Sequence, residues 1–149
     1  MTMRHNHHVD AKSRGQSLVE FALLLPLLFL VIFGAIDFGR MFFIKIALTN
    51  AAREGANYLG YHLEEVRVGD FSGAYEAIQA EAESLGVNID TANEVNIIGA
   101  CLGSTCFPGD EIGVEISKPF DMILGSLLAT LGVVDGPLTL NSTVWMVLQ

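Results

Sequence analysis

From Phe21 to Ile36 the chain runs for sixteen residues without a charge. At 1.5 Å per residue a helix of that length covers about 24 Å, somewhat less than a hydrocarbon core of about 30 Å. Leu18 and Val19 extend the run at one end, and Phe38 with Met41 to Ile44 at the other. The pattern predicts a membrane-spanning helix over about residues 18–40, with Glu20, Asp37 and Arg40 at its edges. A chain of 149 residues could hardly wrap a helix that is apolar on every side, which argues against a buried core helix. Past the span the apolar face narrows. Leu48, Ala51, Ala52, Gly55, Ala56 and Leu59 recur at spacings of three and four, a stripe of small residues that lets another element approach closely. That element is either the chain's own head or the stem of another subunit.

After Tyr61 the elements shorten. Tyr75, Ile78, Ala82 and Leu85 share one face of a predicted helix, with Ser72 as its N-cap and Gly86 as its stop. Strands are predicted at Glu94 to Ile98, Glu111 to Ile116 and Leu138 to Leu148, the last with Leu138, Leu140, Val144, Met146 and Leu148 in phase. Asp121 to Leu131 reads as a loop with a short helix. Helices first and strands later give an α+β fold, a small antiparallel sheet laid on the far half of the long helix.

Charge sets a direction. Arg4, Lys12 and Arg14 precede the apolar run against Asp10 alone, whereas from Glu54 onward fourteen acids face only Arg67 and Lys118. By the positive-inside rule the N-terminus stays cytoplasmic and the acidic remainder lies outside. A net charge of −9 excludes a nucleic-acid partner, which would require a basic face. A cleavable secretory signal does not fit either, because no small-x-small triplet follows the run in DFGRMFFIKIAL.

A basic stub ending in Gly15, four residues QSLV, then Glu20-Phe21 and an apolar helix resemble the processing site of type IV prepilins, particularly those of tight-adherence (Flp) pili. FALLLP at 21–26, FGAIDFGR at 33–40 and NAAREGANYLG at 50–60 resemble a TadE-like minor pilin domain. The resemblance covers residues 15 to about 60. It implies a leader of residues 1–15, a membrane and stem helix over 16–60, and an extracytoplasmic head over 61–149. It further implies cleavage between Gly15 and Gln16 by a prepilin peptidase at the bacterial inner membrane. Implied partners are that peptidase, other minor pilins and the major pilin, the assembly platform and membrane lipid.

Within that frame Glu20 is the charged residue with a role. Cleavage would place an α-amine at Gln16, about one turn away at the low-dielectric edge of the bilayer, where amine and carboxylate attract strongly. The resemblance implies that the amine belongs to a neighbouring subunit or to the chain itself, with Phe21 as the adjoining aromatic. A carboxylate at the positive end of a helix dipole is the plainer alternative, worth about 0.3 to 1 kcal/mol. Pro26 removes a backbone hydrogen bond and should kink the helix, a fault that membrane helices tolerate where neighbours compensate. Asp37 and Arg40, three apart, form an interfacial ion pair.

Cys101 and Cys106 bracket LGST between two strands and, in an exported domain, suggest a disulfide worth roughly 2 kcal/mol. A metal site would need more ligands: His5, His7 and His8 fall in the leader, leaving His62 alone. Asn141-Ser142-Thr143 is a glycosylation sequon in form only. No phosphate loop, nucleophile motif or His–carboxylate grouping appears, so neither catalysis nor a cofactor is expected. The remaining alternative is an uncleaved, membrane-anchored binding or adhesion module.

Overall fold

The computed structural model describes residues 11–99, 106–130, 132 and 136–149. Helix α1, Ala11–Tyr61, is followed by α2, Leu63–Val68, and α3, Ser72–Ser84. Strands β1, Val95–Gly99, and β2, Glu111–Phe120, are separated by helix α4, Gly125–Thr130, from strand β3, Leu138–Val147. The three strands form one antiparallel sheet in the order β1-β2-β3. The α+β architecture expected from the sequence is the one observed.

Burial divides α1 into two lengths. Residues 15–36 are exposed or half-buried; Asp37 is the first buried residue along the helix, and Ala47, Leu48, Ala51, Ala52, Gly55, Ala56, Leu59 and Gly60 follow on one face. The bare length from Gln16 to Ile36 measures about 31 Å, close to a hydrocarbon thickness of about 30 Å. The buried length is the inner wall of the head. The small-residue stripe packs against the chain's own α3 and sheet: a Cβ added at Gly55 would stand 2.5 Å from Cγ1 of Ile78 and 3.6 Å from Val114. Ile78, Ile112, Val114, Ile116 and Leu148 complete this core.

Sheet alternation explains which side chains face inward. Ile112, Val114 and Ile116 of β2 are fully buried, and Val95 and Ile97 of β1 are buried with their edges exposed. On β3, Leu140 and Ser142 are buried and Val144 and Met146 half-buried, with Leu148 buried just past its end, so Ser142 keeps the phase that the sequence leaves to apolar residues. Its hydroxyl is satisfied by Thr49 of α1, with the two oxygens 3.0 Å apart. Nearby the Lys45 ammonium donates to the backbone oxygen of Asn141. At the far end the Gln149 amide donates to the Gly60 carbonyl at 2.9 Å, tying the C-terminus to the end of the stem.

Several expected boundaries shift, each for a local reason. Strand β2 runs four residues past Ile116, through Pro119. Ser117 N–H points toward the β1 side, where it donates to Glu94 O at 2.7 Å. Position 119 faces the same way but lies beyond the end of β1, so a missing N–H there breaks no bond to that strand. Ser72 is the first residue of α3 and not its cap. The Asp70 carboxylate accepts from the Ser72 hydroxyl at 2.7 Å and from its N–H at 3.1 Å, and these bonds hold the Asp70 carboxyl below its ordinary range. Helix α2 was not foreseen; with six residues and Val66 as its buried side chain it shows too little periodicity. Helix α1 continues through Pro26, whose ring deprives the Ala22 carbonyl of its usual donor.

Gly55→Val should destabilise the head by about 1 to 3 kcal/mol, since the added carbons collide with a fully buried Ile78 in a packed core. Denaturant unfolding of the detergent-solubilised chain measures it.

Candidate functional site

The residues singled out by the sequence form two groups, one at each end of the bare helix. At the N-terminal end Gly15, Gln16, Glu20 and Phe21 are all solvent-facing. The Gln16 side-chain amide donates to Glu20 Oε1 at 3.4 Å, a long bond one helical turn away. Gly15 lies inside α1 with open space where a Cβ would stand, so neither packing nor backbone conformation demands a glycine there. The helix also runs from Ala11 across Gly15 without a break. A peptidase acting at this bond must therefore unwind a turn, which glycine, with its poor helix propensity, makes easier.

At the other end Asp37 is 7% exposed although it sits on the outer rim of an apolar helix. The expected Asp37–Arg40 pair is present at 3.4 Å. Its shorter bonds come from elsewhere: the backbone N–H groups of Ile123 and Leu124, just after β2, donate to its two oxygens at 2.9 and 3.0 Å. A carboxylate receiving two backbone donors and a guanidinium is well satisfied at a boundary where an unpaired charge would be costly. Arg40 in turn lies over the Phe120 ring, 5.3 Å from its centroid. Of these partners only Arg40 is legible in the sequence, because backbone donors 86 and 87 residues away carry no signature.

An open cavity of about 550 Å³ lies beside this junction, between Phe43 and Ile44 of α1 and the Gly86–Asn88 turn. Its two cations are engaged, Arg40 with Asp37 and Lys118 with Glu94 at 2.9 Å. Cys106 is fully buried and its carbonyl accepts from Arg67 Nε at 2.9 Å; Cys101 lies outside the described residues, as do His5, His7 and His8. His62 stacks on Tyr58 with ring centroids 3.9 Å apart, and its Nδ1 lies 2.7 Å from the Tyr58 carbonyl. Burial, followed by the hydrogen bond to Glu65, raises the Tyr58 hydroxyl above its ordinary value. Among the described residues no cluster of three or more His, Cys, Asp or Glu side chains could hold a metal ion.

Removing the carboxylate by Asp37→Ala leaves two N–H donors without their acceptor. It should cost about 1 to 3 kcal/mol of local stability. Faster hydrogen exchange at the Ile123 and Leu124 amides than at β2 amides is the expected readout.

Residues 15–57 match the family described as TadE-like protein, in agreement with the resemblance carried by the motifs. The match begins at Gly15, covers the bare helix and ends within the buried stem, leaving the rest of the head outside it. Comparison with curated proteins and with solved structures gives no match.

Proposed function

We propose that the chain is a minor pilin or pseudopilin of a tight-adherence pilus, made as a single-pass precursor and cut by a prepilin peptidase between Gly15 and Gln16. The observation that carries this reading is that the TadE-like match starts at Gly15, on a helix whose exposed apolar length, about 31 Å from Gln16 to Ile36, fits one hydrocarbon core. In this reading Lys12 and Arg14 hold the leader in the cytoplasm, and the acidic head stands on the extracytoplasmic face of a bacterial inner membrane. The subunit acts by assembly with other pilins and the membrane platform, and its work is structural or adhesive, without catalysis or a cofactor. The Cys101–Cys106 disulfide belongs to the same proposal, as a staple formed on the oxidising side.

Cleavage creates an α-amine at Gln16, one turn from Glu20. In the uncut chain Glu20 has the long Gln16 amide contact, which leaves carboxylate capacity for a stronger, charged donor. The continuity of α1 across Gly15 favours a second reading, an uncleaved anchor carrying a binding module. Intact mass separates the two: protein from peptidase-competent cells should begin at Gln16, and a chain retaining Met1 defeats the pilin reading.

Gly15→Val should block the cut, since a β-branched side chain keeps the backbone from entering a tight cleft. Glu20→Gln should leave cleavage intact and weaken association, because the amide keeps shape and loses charge. The size shift on cleavage scores the first and crosslinking to other pilus components scores the second; equal crosslinking by Glu20→Gln would reduce Glu20 to a helix-start residue.

A further inference from the structure

We propose that the segment after β2, Asp121 to Thr130 including α4, is a second membrane contact, lying in the headgroup and acyl boundary beside the outer end of the span. The proposal rests on the membrane reading of the bare helix and adds a lipid-facing surface to the head. Three observations carry it. First, the Asp37 carboxylate holds Ile123 and Leu124 by their backbone N–H groups, which fixes their height against the helix. Second, that height is within the membrane's reach. Met122 and Leu124, with Phe120, line a small cavity against Gly34, Phe38 and Met41, and Gly34 belongs to the uncharged run. A span of about twenty residues beginning at Leu18 ends at about this point. Third, Met122 to Val134 is thirteen residues without a charge, flanked by Asp121 and Asp135.

A free aqueous loop has no reason to be so apolar. Ile123 is 47% exposed, and beside it on the stem Phe38 is 59% exposed. The two exposed surfaces adjoin the bare helix, so the occupant that already surrounds that helix, lipid, continues onto them. Helix α4 covers only about 9 Å and cannot cross a bilayer, so an interfacial position is the one open to it. The Asp37 bonds satisfy two backbone donors at a depth where water is scarce, which is what non-helical backbone near a membrane requires.

Depth-dependent quenching tests this in vesicles of phosphatidylethanolamine and phosphatidylglycerol. The full chain has one tryptophan, Trp145 on the outer sheet face. In a Trp145→Phe background, Ile123→Trp and Ile36→Trp each place a single reporter. Lipids brominated along the acyl chain should quench both reporters and leave Trp145 of the parent chain bright. Should only the position 36 reporter be quenched, this inference fails and the membrane anchor stands; should neither be quenched, the membrane reading falls and takes the inference with it. Photoactivatable phospholipid added to the unaltered chain gives an independent readout that no misfolded variant can spoil. Adducts are expected on the Phe120–Thr130 peptide as well as on the stem, and adducts on the stem alone overturn the proposal.

Discussion

The bonds from Ile123 and Leu124 to the Asp37 carboxylate mark the point at which one helix passes from a bare length to one covered by the head. Below Asp37 the side chains are apolar all round and exposed; above it a single face is buried by the head. A continuous helix has no joint at which to make that change, so the head itself must end at a defined height. A carboxylate that gathers two backbone donors supplies the stop, and its burial strengthens each bond.

Above that stop, close approach governs the architecture. Ala47, Ala51, Ala52, Gly55 and Ala56 expose little more than backbone, so α3 and the sheet settle directly on the helix surface. Leu48 and Leu59 punctuate this stripe, and Ile78, Ile112, Ile116 and Leu148 from the opposite wall fill the space that the small residues leave. This fit uses the stripe for internal packing, which leaves the bare helix and the outer sheet face exposed.

The long helix, its apolar run and the inward phase of β2 were legible because they are repeating patterns, each confirmed by many residues. Features set by one or two partners were not. Ser142 reads as an interruption of β3 until Thr49 stands opposite it. The strand predicted to end at Ile116 runs on through Pro119, because β1 is too short to need its N–H. Ser72 reads as a cap, although Asp70 makes the bonds. Asp37 and Arg40 were recognised as a pair by their spacing, yet the donors that bury Asp37 lie 86 and 87 residues on, in a segment whose sequence shows only that it is apolar. The family match that starts at Gly15 was legible as a motif, whereas the fold places no demand on that glycine.

The bare helix thus carries a carboxylate near each end, and the two differ in how far the chain itself satisfies them. Asp37 is buried and accepts from two N–H groups and Arg40. Glu20 is exposed and meets a neutral amide at 3.4 Å. Both sit at the rim of an apolar span, where an incompletely paired carboxylate gains most from a cation. Asp37 has therefore spent its bonding capacity on fixing the head, while Glu20, in its contacts among the described residues, retains capacity for a stronger donor.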